Sequence, residues 1–474
     1  MRWRVNDREK TGMSMIRIPL PTWPQTCHRV TPLALAVLLS ACATHRAEPD
    51  AALVIPAGWS QAAPAAAAAS TPSPWWESLG DTKLNHLIEQ AQARNPNLAL
   101  AALKVRRAQL VAGLAASDQL PTVSVKGSSS ASRPLDGGPT TRVQSVTAGV
   151  SWEADLWGRL ASLKDAAEWE AQATEEDRQA AALSLSATVA NLYWQIAYLN
   201  QRVEVSQQSI DYAARTLTLV QAQYKAGDVS GLELAQAQQA LAAQQAAHVQ
   251  WLQQRVQARN ALAILFDAPP SQVQPEDTRL KDGPLPAVEP GLPASLLIRR
   301  PDLRAAQLRL RKALANVDAT RASFYPTLTL TGSVGGTSTD LSKVLSDPVG
   351  TLGAGLVLPF VQWRDMQRNV AVSQTDYEIA VVGYRQAWYQ ALSDVENALA
   401  ARQLDEQQGQ QLEVSYQSAV QAEKLSEVRY RAGAAPLKTW LDAQESRRQA
   451  EINLAQNRLN RLNALATLHQ ALGG

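Results

Sequence analysis

Two stretches of this chain carry a hydrophobic seam too long for a compact globule. From Leu185 the apolar positions run Leu185, Val189, Leu192, Ile196, Leu199, Val203, Ile210, Leu217, Val220 and Tyr224, in steps of four, three or seven. That spacing keeps one stripe of a helix turned toward a partner helix. Trp157 to Lys225 spans 69 residues, so a continuous helix there would reach roughly 100 Å at 1.5 Å per residue. A comparable stretch, Trp363 to Arg431, places Val370, Tyr377, Tyr384, Ala391 and Ala398 at strict sevens. Off the seam, alanine and glutamine dominate, which suits close packing on a second helix face.

The two stretches belong to a repeat. Asn95-Pro96-Asn97-Leu98 returns as Arg300-Pro301-Asp302-Leu303, and Leu120-Pro121 as Tyr325-Pro326, each 205 residues on. Trp157 and Trp363, Tyr224 and Tyr430, and Gly227 and Gly433 are 206 apart. Self-similarity in register marks a duplicated structural unit. The halves are expected over residues 75–285 and 286–474. Each reads as a helix opening after Asn-Pro or Arg-Pro, a β-hairpin, a very long helix, a glycine-containing turn and a second long helix. The expected strands are PTVSVKGSSSAS and VQSVTAGVSWEADL, then PTLTLTGSVGGT and VGTLGAGLVLPF, where Thr and Val alternate with apolar or small neighbours. The expected class is mainly α with a small β part.

Residues 1–41 stand outside this scheme. A basic lead with Arg2, Arg4, Arg8, Lys10, Arg17 and Arg29 runs into LALAVLLSAC, which reads as a secretory signal. Leu39-Ser40-Ala41-Cys42 resembles the lipobox of bacterial lipoproteins, so Cys42 is expected as an acylated first residue. Several acyl chains would hold a membrane far better than one. The long lead also leaves Met13 and Met15 as alternative starts. Residues 42–74, rich in Ala, Pro and Ser, are expected as a flexible tether.

Removing the signal takes away six basic and two acidic residues, which turns the formal charge of +2 into −2. No basic surplus points to nucleic acid, and a single acylated cysteine supports no disulfide framework or thiol chemistry. His86, His248 and His469 lie far apart with no second histidine at i+3 or i+4 for a metal pair. No glycine-rich phosphate loop follows a strand, and Glu175-Glu176-Asp177 reads as a solvated helix face. Catalysis and cofactors are not expected.

Four strands facing lipid raise a closure problem, because unpaired backbone groups at a sheet edge are not tolerated in hydrocarbon. Single-chain outer-membrane barrels start at about eight strands, so this chain would need two, three or more copies. A periplasmic coiled-coil protein with soluble hairpin caps is the competing reading from composition alone.

Taken together, the repeat, Trp75-Trp76 before Leu79-Gly80-Asp81, the two X-Pro helix starts, Tyr325-Pro326, the YKAG and YRAG turns and Leu441-Asp442-Ala443-Gln444 resemble the TolC-like outer-membrane efflux family. The likeness is to its lipoprotein (NodT-type) branch, which serves resistance-nodulation-division pumps. The resemblance implies a homotrimer with a twelve-stranded outer-membrane barrel and a twelve-helix periplasmic tunnel. It also implies lipid anchoring in the outer membrane, a periplasmic adaptor protein and an inner-membrane pump as partners.

By the same resemblance, Ala226-Gly227-Asp228 and Ala432-Gly433-Ala434 would meet the adaptor, and three copies of Asp442 would close the tunnel. Converging carboxylates would repel one another, raise their own pKa values and favour cations. Tyr430 matches a tyrosine that links neighbouring helix pairs. Lys438 could pair with Asp442 at i+4, while Thr439 and Gln236 stand where a further acid could have been. A solvated Asp442 near Glu445 or Arg447 is the plain alternative. The implied function is a passive duct for small molecules such as drugs; a conduit for a type I secretion system, or a structural coiled-coil lipoprotein, are the alternatives. The transported substrate is unreadable, although Met366 as the sole methionine after the signal offers no stripe for copper or silver.

Overall fold

The computed structural model describes residues 53–60, 74–270, 274–281, 283–291 and 293–474. Cys42 and the signal lie outside them. After a turn at Trp75–Leu79 come α1 (Thr82–Arg94), α2 (Pro96–Ser117), β1 (Thr122–Ser132), β2 (Thr141–Ala154), α3 (Arg159–Ala226) and α4 (Gly231–Ala263). A helical turn at Leu296–Arg299 precedes α5 (Pro301–Ala322), β3 (Thr327–Ser338), β4 (Val349–Val357), α6 (Trp363–Arg431) and α7 (Leu437–Leu472). The long helices hold 68 and 69 residues, each about 100 Å. Helix α3 opens two residues later than expected, because Gly158 sits left-handed at φ 72° immediately before it.

The two hairpins join into one antiparallel sheet in the order β1-β2-β3-β4. The join is β2 to β3, pairing Val150 with Gly332 and Trp152 with Leu330. Repeated residues brace the junction of sheet and helices: Trp157 of the first half donates its indole N–H to Pro326 O at 2.8 Å and packs on the Tyr325 ring. Near the end of β3, Gly336 leaves room for the β3–β4 connection, since a Cβ there would collide with Val344 O.

Helices lie side by side in a single layer. Near the sheet the order is α2–α3–α5–α6, and farther away it is α4–α3–α7–α6. The X-Pro starts have a local cause in the first half only: Asn95 Oδ1 accepts from the N–H groups of Asn97 and Leu98, and its Nδ2 donates to Leu265 O. Arg300 at the matching position instead donates to Asp302, Asp394 and Ala471 O, tying the start of α5 to the end of α7. Glu175-Glu176-Asp177 is not a uniformly solvated face. Glu175 pairs with Arg178 on its own helix, but Glu176 and Asp177 reach Arg304 and Arg309 of α5.

The expected seam of α6 is buried at Tyr384, Ala391 and Ala398. In α3 it holds at Leu185, Val189, Ile196 and Leu199, with Leu192 half-buried, then slips by one residue and meets the expected line again at Val220. Arg202, Ser206, Ser209, Ala213, Thr216 and Val220 are buried, whereas Tyr224 is exposed and Val203, Ile210 and Leu217 are half-buried. Small and hydroxylated side chains let the neighbouring backbone approach, and their hydroxyls bond back to carbonyls one turn earlier, as Ser209 does to Val205 O. Ser206 meets His248 of α4 at 2.7 Å, and Arg202 lies over the Trp251 ring.

Part of the expected tether is docked. Trp59 is 9% exposed and sits with Leu296, Leu303 and Trp388, donating to Gly291 O at 2.8 Å. Trp388 in turn donates to Val54 O, and Ser60 donates through N and Oγ to the two carboxylate oxygens of Glu396. Residues 53–60 are therefore a strap on the second half. Indole burial against an apolar cluster, with backbone partners supplied, is the physical reason residues 53–60 do not stay free.

Candidate functional site

The end of the layer far from the sheet collects the residues singled out in the sequence. Helix α3 stops at Ala226 because Gly227 adopts φ 81°, with Asp228 N–H donating to Gln223 O and Gly227 N–H to Tyr224 O. The second turn repeats this geometry: Gly433 has φ 72°, Ala434 N–H donates to Arg429 O and Gly433 N–H to Tyr430 O. Paired bonds of this kind satisfy the last carbonyls of a helix. Ala226, Gly227, Asp228, Ala432, Gly433 and Ala434 are all exposed.

The helices that return from the two turns start differently. Ser230 and Glu233 form a reciprocal capping box at α4, worth about 1 kcal/mol. Helix α7 follows Pro436, whose side chain caps nothing. What secures α7 is packing: Leu437, Trp440 and Gln444 are buried on one face, and the first two join a cluster that also takes in Val220, Ala237 and Tyr430. Tyr430 donates its hydroxyl to Gln223 Oε1 at 2.7 Å, linking α6 to α3, and burial raises its pKa.

Lys438 and Asp442 occupy the opposite face of α7. The ammonium bonds Oδ1 at 2.9 Å and Oδ2 at 2.8 Å, with side chains 64% and 62% exposed. Neither nearby candidate shares the carboxylate: Glu445 pairs with Arg448, and Arg447 with Glu423 and Glu451. The structure thus joins Lys438 to Asp442, while Tyr430 makes its contacts with Gln223 and Trp440. Gln223 and Trp440 were missed in the sequence. Trp440 had a legible signal, an indole one residue before the Leu-Asp-Ala-Gln phrase and at core spacing from Leu437.

The family model described as outer membrane efflux protein matches residues 87–266 and 292–474, most of the chain. The chain belongs to that family. It is 34% identical over 453 residues to the pyoverdine export outer membrane protein OpmQ of Pseudomonas putida, covering 93% of this chain and 96% of that protein. The solved structure of CusC, described with conformational changes accompanying folding and transmembrane channel formation, superposes with a TM-score of 0.81 at 26% identity. That match covers 90% of this chain and 98% of the other. The open state of the Neisseria gonorrhoeae MtrE outer membrane channel matches with a TM-score of 0.71 at 32% identity, over 83% of this chain and 89% of that one. The protein is an outer-membrane efflux channel component, not an enzyme. Among the described residues, no group of three or more His, Cys, Asp or Glu is placed to hold a metal ion.

Proposed function

We propose that three copies of this chain form a closed tube, a passive duct that carries small molecules from the periplasm to the exterior. The observation that carries this reading is the layer's two unfinished sides. Strands β1 and β4 are exposed along their whole length and each has a free edge, which hydrocarbon does not tolerate. The flanking helices expose apolar side chains in line with those edges: Leu103, Leu110 and Leu114 on α2, and Val372, Ile379 and Val382 on α6. Pairing β4 of one copy with β1 of the next closes twelve strands, and the same step covers α2 and α6.

The glycine turns are then the periplasmic tips. Exposed Ala226-Gly227-Asp228 and Ala432-Gly433-Ala434 suit a helical hairpin of an adaptor protein that bridges to an inner-membrane resistance-nodulation-division pump. Asp442, projecting from α7 away from the packed face, would form a ring of three carboxylates with Lys438 beside each. Acylation at Cys42 would add a lipid anchor. Export of pyoverdine, named for the Pseudomonas relative, supports a small-molecule cargo over a secreted protein.

The test is single-channel conductance of the purified, lipidated protein in a planar bilayer, against Asp442→Ala. Small cation-preferring openings that widen or lose selectivity in the variant support both duct and gate. A conducting protein indifferent to the substitution removes Asp442 from the gate. Silence from an intact oligomer rejects the duct.

A further inference from the structure

An aromatic cluster at the periplasmic end is left unexplained by the turns and the ion pair. Trp440 lies in the first turns of α7 at 2% exposure. Its ring stacks on Tyr430 of α6, with centroids 5.2 Å apart and planes at 26°. It meets Tyr212 of α3 edge-on at 5.9 Å and 81°. One side chain of the uncapped helix therefore touches both long helices, and offset or edge-on aromatic contacts add to the burial itself. Asp442 follows two residues later on the same rigid helix. A movement that displaces the acid must carry the indole out of its slot.

Trp440 has a second property. Its Nε1–H is buried with no hydrogen-bond partner within the chain, a condition it shares with Trp75, whereas the indoles of Trp59, Trp152, Trp157 and Trp388 all donate to a backbone carbonyl. A buried donor left unpaired disfavours the state that buries it. The ring and the donor thus act in opposite directions on one conformation.

We propose that Trp440 is a loaded clasp: its ring holds the start of α7 between α3 and α6 in the narrow state of this end, while its unpaired N–H biases that state toward release. The proposal rests on reading this end as the gate. A clasp with such an internal opposition keeps the narrow state only modestly favoured, so that a partner at the tips can shift it.

The experiment records opening frequency of the full-length lipidated channel in planar bilayers. Replacing Trp440 by 3-benzothienylalanine through amber suppression keeps the bicyclic ring and deletes only the N–H; openings should become about tenfold rarer. Trp440→Ala deletes the ring and should make openings at least tenfold more frequent. If the alanine oligomer dissociates, Trp440→Leu is read in its place with the same expected direction. A benzothienyl variant opening as often as wild type overturns the loading, and an Ala or Leu variant that stays as closed as wild type overturns the clasp. Asp442→Ala, recorded in parallel, separates the two levels. A response to that substitution alone discards the clasp and keeps the gate, whereas no response to any variant discards both.

Discussion

Acidification should loosen the packing of the last helix against Trp75 through one imidazole. His469 stacks on Trp75, ring centroids 5.2 Å apart and planes at 13°. Burial, with Arg402 and Arg299 nearby, pushes its pKa from 6.5 down to about 4. The unfolded chain therefore binds this proton more readily than the folded one. The stabilisation is complete above pH 6.5 and is lost as pH falls toward 4. Between pH 7.5 and 5.0 the unfolded state gains most of a proton that the folded state refuses, over about 1.5 pH units of effective titration. At about 1.4 kcal/mol per unit this amounts to about 2 kcal/mol per chain. Unfolding of the detergent-solubilised protein is followed by far-ultraviolet circular dichroism at fixed protein and detergent concentrations, for wild type and His469→Phe. Phenylalanine keeps a flat ring on Trp75 and removes the titration. Every other titrating group is common to both proteins, so the difference in pH slope isolates His469. Wild type should lose about 2 kcal/mol more than the variant across this interval; equal losses would refute the assignment.

Tyr430→Phe removes the hydroxyl that bonds Gln223 and should weaken the tip locally by about 1 kcal/mol, read as faster amide exchange at 220–230 with unchanged exchange in α1. Gly336→Ala puts a methyl into the Val344 carbonyl and must displace the β3–β4 connection. Lys343 within it should then become a trypsin site in intact cells, while wild type resists. Trp388→Ala empties a fully buried site and should cost about 3–5 kcal/mol. The same change should release the strap, seen as new proteolysis at 53–60.

The long helices were legible because a seam at 3.5-residue spacing over many turns has no other solution. The second was placed at Trp363 to Arg431 and ends there. Strands were legible from alternation and proline, but the β2–β3 pairing was not, since it joins segments with no shared turn. Distal α3 misled because its interface uses Ser, Thr and Ala, while its larger apolar residues stand beside the contact line. The strap hid in low-complexity surroundings, although Leu53-Val54-Ile55 and Trp59 were the apolar exceptions within it. At the candidate gate, Lys438 and Asp442 could be paired from spacing alone. The Trp440 cluster could not, because Tyr212, Tyr430 and Trp440 come from three helices whose register only the packed layer fixes.

The strap has a mechanical consequence. The chain reaches the second half first, at Val54, Trp59 and Ser60 on Trp388 and Glu396, and only then enters the first half at Trp75, whose ring lies on His469 of the final helix. A pull applied upstream of residue 53 is thus borne first by α6 and passed on to α1 afterwards. The described chain is thus fastened to its second half before its first half begins, so tension from that side loads α6 and leaves α1 unstressed until the strap gives way.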